Sequence, residues 1–231
     1  MQPHLCIRFG NDRLGVMRII DPQTGRSYLG KRLQRFNTPG QPRELTFSCY
    51  RRYPFLGRER TREWFREALE QARQKSGFHI WAYVLMPEHV HLLVYPDQRP
   101  ERMGRFLQHL KEPIARKAVA FLKANAPTWL ARLQVREGPR LRHRFWQPGV
   151  GYDRNITTAA ALRAMIDYIH ANPVRRGLVD KPEDWEWSSA RWFAGARPAK
   201  IEMDDTIKIE LARDGLLDLV ARQTEVGEIK C

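Results

Sequence analysis

Cysteine is scarce: Cys6, Cys49 and Cys231 are three in 231 residues, odd in number and far apart. That pattern supports neither a disulfide framework nor a cysteine zinc site, and its default compartment is a reducing cytoplasm. Long hydrophobic runs are missing too. No stretch approaches the apolar length that crosses a bilayer, so no membrane partner is expected. The first eight residues lack a charged segment followed by a long apolar one, the pattern of a secretory signal. Internal repeats and low-complexity tracts do not occur. Acidic residues are thin over the first 200 positions, where 18 of them face 36 lysines and arginines. Beyond residue 200 the balance reverses, to eight acidic against four basic.

What is present is a foldable chain with a strong positive field. Hydrophobic residues make up 42% and aromatics 10%, which supports a packed core rather than disorder. Arginine dominates the basic excess, and its planar fork suits bidentate contact with phosphate better than lysine does. The expected partner is a nucleic acid, and the expected location is cytoplasmic and nucleoid-associated. A solvated basic surface without a specific partner is the plainer reading of the same excess.

Hydrophobic patterning divides the chain into an extension (1–41), a core (42–195) and an acidic, partly helical tail (196–231). In the extension, Asp21-Pro22-Gln23-Thr24-Gly25 reads as a turn between two short apolar runs, a small hairpin. The core opens with a β-rich strand at Glu44–Arg51, followed by a helix at Glu59–Gln74. That helix has Trp64, Phe65, Ala68, Leu69 and Ala72 at helical spacing. Two strands follow, Phe78–Met86 and His89–Tyr95, then a second helix over Met103–Leu122. Pro127 and Trp129 mark a break and a short amphipathic piece. A fourth strand is expected around Leu141–Gln147, where Arg140, Arg142, His143 and Arg144 interleave with Phe145 and Trp146. Such interleaving suits phosphate contact and base stacking, or equally a packed edge strand with solvated arginines. Thr157 and Thr158 offer N-caps for a helix through Ala171, with Pro173 ending it. The tryptophan-dense run Asp184–Trp192 is expected to wrap back over the core, and a short helix is expected near Leu216. The order strand–helix–strand–strand–helix–strand, then a helix, predicts an α+β, ferredoxin-like (split βαβ) antiparallel sheet. Its helices lie on one face, with a further helix after the last core strand.

Two residue sets carry chemistry. His89 and His91 alternate with Val90 on a strand, so both imidazoles project from one face and can hold a divalent metal if a third ligand approaches. A pair of half-buried histidines bonded to backbone fits the same spacing. In the helix after the last strand, Leu162, Met165, Ile166 and Ile169 form one stripe. Tyr168 falls roughly 110° from that stripe's centre and Asn172 roughly 70°, on one flank and one turn apart. Tyr168 is therefore not where a plain core tyrosine would lie, although packing of a tyrosine at the helix end gives the same phase.

The motifs Met86-Pro87-Glu88-His89-Val90-His91 and Tyr168-Ile169-His170-Ala171-Asn172-Pro173-Val174 together resemble the HUH single-tyrosine transposases. They are most similar to the REP-associated tyrosine transposases and their insertion-sequence relatives, over roughly residues 42–192. The resemblance implies an endonuclease and strand transferase acting on single-stranded or hairpin DNA. Tyr168 would be the nucleophile, in the helix after the last core strand. His89, His91 and Asn172 would hold Mg²⁺ or Mn²⁺. Attack on phosphate would give a 5′-phosphotyrosine and a free 3′ hydroxyl. A phenol with an ordinary pKa near 10 needs such help at neutral pH. Arg140, Arg142, Arg144, Arg175 and Arg176 are candidates for DNA backbone contact. Insertion-sequence relatives form homodimers, whereas REP-associated members can act as monomers.

The chain departs from the family pattern in two ways. Residues 1–42 carry no clear copy of the glycine-threonine motif of many REP-associated members, and the acidic tail has no placed counterpart. A non-catalytic nucleic-acid-binding protein on the same fold, or a hydrolytic nuclease whose metal activates water, are the competing readings.

Overall fold

A computed structural model describes the backbone of residues 16–20 and 27–31, and backbone with side chains over 41–97, 102–149, 151–196 and 199–207. The chain divides into two compact units, Met1–Phe36 and Asn37–Cys231. In the first, β1 (Val16–Ile20) pairs antiparallel with β2 (Ser27–Lys31). The expected turn between them lies outside the described residues, as does the helix expected near Leu216.

The second unit is built on a four-stranded sheet of β3 (Arg43–Ser48), β4 (Phe78–Leu85), β5 (His89–Pro96) and β8 (Tyr152–Asn155). Its order is β4-β5-β3-β8 and every neighbouring pair is antiparallel, the split βαβ arrangement. Strand β5, which carries the two histidines, is central. Helix α1 (Glu59–Ser76) is amphipathic as its spacing predicts. Phe65, Ala68, Leu69 and Ala72 are buried; Glu63 pairs with the exposed Arg66, and Arg73 pairs with Glu70 and reaches Asp204. Gly77, in left-handed conformation, ends it and donates its N–H to the Arg73 carbonyl. Helix α2 (Met103–Asn125) lies alongside α1, turning Phe106, Leu110 and Ile114 inward. The Phe65 ring stacks against Phe47 of β3, so α1 and α2 cover the face opposite the histidines. The short helix α3 (Pro127–Arg132) begins on the proline that breaks α2.

The expected fourth strand at Leu141–Gln147 is divided between two partners. Residues Arg140–His143 form β7, which pairs with β6 (Gln134–Glu137) across a Gly138 turn in a separate two-stranded ribbon. Residues 145–147 continue along the far end of β3, where Trp146 bridges Cys49 and Gln147 N–H donates to the Ser48 carbonyl. The strand that completes the sheet is the polar segment Tyr152–Asn155. A buried ion pair fastens it: Arg43 Nη2 lies 2.6 Å from Asp153 Oδ1.

Helix α4 (Ala159–Arg175) is capped by Thr158, whose hydroxyl accepts from the Ala161 N–H at 3.2 Å. It runs through Pro173 rather than ending at Ala171. Burial of Ile169, Asn172 and Pro173 holds the last turn helical, and the proline sacrifices only one terminal hydrogen bond there. The tryptophan-dense run does return over the core. Leu85 N–H donates to the Trp187 carbonyl and Ser189 N–H to that of Tyr83, covering the outer edge of β4. It leads into α5 (Ala190–Phe193), where Trp192 and Phe193 are buried. No helix among the described residues is long and apolar enough to cross a membrane.

Candidate functional site

Strand alternation gives the site its first layer. His89 and His91 share a face of β5, and their rings sit 4.9 Å apart. Both are buried, His91 to 4% exposure. Helix α4 crosses this face and sets the Tyr168 ring edge-on to His91, with centroids 5.4 Å apart. Tyr168 stays 38% exposed, so its off-stripe phase leaves the phenol open to solvent. Asn172, one turn on, is buried and donates from Nδ2 to the Tyr168 carbonyl at 2.7 Å. That bond orients the amide and leaves Oδ1 as an acceptor.

The second layer fixes the imidazoles. His89 Nδ1 is 3.1 Å from Glu88 Oε1, and His91 Nδ1 is 2.8 Å from the Thr46 hydroxyl, directly opposite on β3. Burial pushes the Glu88 carboxyl up. Hydrogen bonds from Arg176 and Arg52, with the charges of His89 and Arg176, outweigh it and hold Glu88 below the usual range. An ionised Glu88 can only accept, so His89 carries its proton on Nδ1 and keeps the Nε2 lone pair available. Burial also lowers both histidines. Glu88 opposes the shift at His89 without reversing it. At His91, burial followed by the charges of His89 and Arg52 pushes the imidazole down to about 3. Both rings are therefore neutral near pH 7, the form in which imidazole binds a metal. Two such nitrogens and an amide oxygen fit a divalent ion, with Nδ1 of each histidine already committed. Among the described residues no cluster of three or more histidine, cysteine, aspartate or glutamate side chains could hold one.

Arginines ring the site. Glu88 Oε1 receives Arg52 Nη2 at 2.9 Å and Arg176 Nη1 at 2.8 Å, and the Arg175 guanidinium lies 5.5 Å from the Tyr168 ring. Arg51 and Arg52 have φ of 52° and 53°, left-handed backbone that costs arginine on the order of 1–3 kcal/mol each. The Gln147 carboxamide oxygen accepts the Arg51 N–H, and Glu88 holds the Arg52 side chain, so the turn is held at both residues.

Of the residues read from sequence, the structure brings His89, His91, Tyr168, Arg175 and Arg176 into one cluster, with Asn172 bonded to the Tyr168 backbone. Arg140 and Arg142 stand instead on the β6–β7 ribbon, and Arg144 just beyond it. Arg142 and Arg144 both pair with Glu137 there. Sequence reading missed Thr46, Arg52 and the role of Glu88. Glu88 lies inside the histidine motif and was findable. Thr46 depends on strand register, which a sequence does not display.

The family model described as IS200-like transposase matches residues 43–172, more than half of the chain. A Haemophilus influenzae protein assigned as a REP-associated tyrosine transposase is 26% identical over 125 residues. That match covers 54% of this chain and 66% of the relative, so the chain spans just under two thirds of its length. A solved structure of a REP-associated tyrosine transposase bound to a REP hairpin superposes with a TM-score of 0.55 at 21% identity. It covers 76% of this chain and 93% of that one, a likeness of fold.

Proposed function

The chain belongs to the IS200-like transposase family, and from that membership we propose that it cleaves and rejoins single-stranded DNA beside a hairpin, with Tyr168 as nucleophile. The observation that carries the reading is the Tyr168 ring, exposed yet seated 5.4 Å from one of two neutral, pre-oriented imidazoles. The Tyr168 oxygen attacks phosphorus, its proton is released, and the bond to the 3′ oxygen breaks. The product is a 5′-phosphotyrosine and a 3′ hydroxyl, and the reverse reaction with another 3′ hydroxyl rejoins the strand. Arg175 beside the ring meets the negative phosphate, while Arg176 and Arg52 hold Glu88, which orients His89. His89 Nε2, His91 Nε2 and Asn172 Oδ1 would hold a divalent ion, Mg²⁺ or Mn²⁺, which would supply Lewis-acid polarisation of the scissile phosphate. The REP hairpin bound by the solved neighbour supports hairpin DNA as the partner. The catalytic core of this reading is 42–195.

The test is incubation of the purified protein with labelled single-stranded hairpin DNAs from around its own gene, with Mg²⁺ or Mn²⁺, on a denaturing gel. A labelled band at protein mass is expected, lost in Tyr168→Phe while DNA binding stays nearly intact. An adduct that persists in Tyr168→Phe removes the nucleophile. Shortened DNA without an adduct means hydrolysis, and binding without cleavage across the set means a non-catalytic protein. Light scattering on the same preparations distinguishes a monomer from a homodimer.

A further inference from the structure

Beside Tyr168 the same sheet face continues outward into a groove of about 380 Å³. It is lined by Glu44, Thr46, His91, Tyr152, Arg154, Met165 and Tyr168. Register explains why these residues meet. Thr46 lies opposite His91 on one side and opposite Tyr152 on the other, and Glu44 lies opposite Arg154. Directly opposed residues share a face, so Tyr152, Thr46 and His91 form one row across three strands. Two strand spacings, roughly 10 Å, separate the ends of that row. The β8 end is unlike a structural edge. Tyr152 is 47% exposed, an aromatic ring lying open on the active face. The Arg154 side chain is half-exposed, 5.7 Å from that ring and 3.5 Å from Glu44 Oε2. Glu44 is almost wholly buried, and its Oε2 accepts no hydrogen bond. Burial raises its carboxyl, against the opposing charge of Arg154.

We propose that Tyr152 and Arg154 form a nucleotide subsite next to the scissile position, the base stacking on the Tyr152 ring and Arg154 taking the adjoining phosphate. The inference rests on the reading of Tyr168 as the reacting residue for its place in the substrate path. The chemistry is that of single-strand binding sites, in which an aromatic platform and a cation act together and tolerate any base. Glu44 keeps the guanidinium over the groove from below, as a positioning residue. Met165 and Tyr168 close the far wall and confine the base to the Tyr152 face.

The experiment measures binding, so it reads separately from cleavage. Fluorescein-labelled dT12 and an abasic deoxyribose-phosphate 12-mer are titrated by anisotropy into full-length wild type, Tyr152→Ala, Tyr152→Phe and Arg154→Gln. Tyr152→Ala is expected to weaken dT12 by about tenfold and leave the abasic strand unchanged, with Tyr152→Phe close to wild type. Arg154→Gln is expected to weaken both strands equally and to lower the salt slope by about 0.7. Equal loss on both strands in Tyr152→Ala, or no loss on either, overturns the stacking subsite. If the stacking signature appears but no covalent adduct forms with hairpin DNA, the nucleophile reading fails and the subsite stands. If the adduct forms without the signature, the reverse holds.

Discussion

The chemistry of the site is decided by which nitrogen of each imidazole is already occupied. Glu88, which can only accept, fixes the His89 proton on Nδ1 and frees its Nε2 lone pair; Thr46 holds His91 Nδ1, and burial keeps both rings neutral. Groups of this kind, standing behind a ligand, change metal affinity by roughly 10- to 100-fold when lost. Glu88→Gln and Thr46→Val should therefore each weaken Mn²⁺ binding by about that factor, measured by calorimetry on the DNA-free protein. Thr46→Ser, which keeps the hydroxyl, should stay near wild type. If both Glu88→Gln and Thr46→Val bind Mn²⁺ as the wild type does, the orienting role is wrong. The sequence made the proposed ligands legible and their supports less so. His89 and His91 announce themselves by spacing, and Tyr168 by its phase on the helix. Thr46 is an ordinary strand threonine until β3 is laid against β5.

At the scale of elements, the outcome turned on one short strand. Leu141–Gln147 has an alternating pattern and the aromatic residues of a strand, and local patterning favours it over Tyr-Asp-Arg-Asn. The polar segment wins the sheet position because its partners are not local. Asp153 neutralises the buried Arg43, and Gly151 lets the chain approach β3 closely. A Cβ on Gly151 would fall 1.9 Å from the Thr46 carbonyl oxygen, at a φ of +66°. Gly151→Ala should thus displace β8 and destabilise the protein by roughly 3 kcal/mol. Gly138→Ala is the control. It also has positive φ, but nothing lies within 4 Å of its added Cβ, so only the backbone preference of about 1–2 kcal/mol is lost. Asp153→Ala removes the carboxylate 2.6 Å from the buried Arg43 guanidinium and should cost about 3–5 kcal/mol. Denaturant melts of the three variants give the ranking; equal losses for the two glycines would remove the close-approach argument. Pro173 teaches the same lesson, since burial of the last turn of α4 overrides a proline that local rules make a stop.

For the whole molecule, the predominance of basic residues is a surface property, and the core answers to a different variable. The ferredoxin-like order was readable because its apolar periods are strong, from Phe65 to Leu69 in α1 and from Ile80 to Val94 through β4 and β5. The depth of that core was not readable, and it has a consequence at high pH. Cys49 and Tyr83 are buried ionisable groups that stay neutral at pH 7. Burial pushes the Cys49 thiol up to about 12 from 9.0, and the Tyr83 phenol up to about 12 from 10.0. In the unfolded chain both groups ionise at their ordinary values, so the unfolded state releases protons first as pH rises. Stability they contribute is therefore complete below pH 9 and is lost as pH climbs toward 12. By pH 11 the decline should be on the order of a few kcal/mol, read as a falling denaturant midpoint. Cys49→Ala should flatten the part of that decline which begins near pH 9 and leave the part that begins near pH 10. The same burial should keep Cys49 silent to a thiol reagent at pH 8 in a Cys6→Ser, Cys231→Ser background until the protein unfolds. A thiol that reacts promptly in the native protein would mean that the β3 end of the core opens, and the alkaline argument would fall with it.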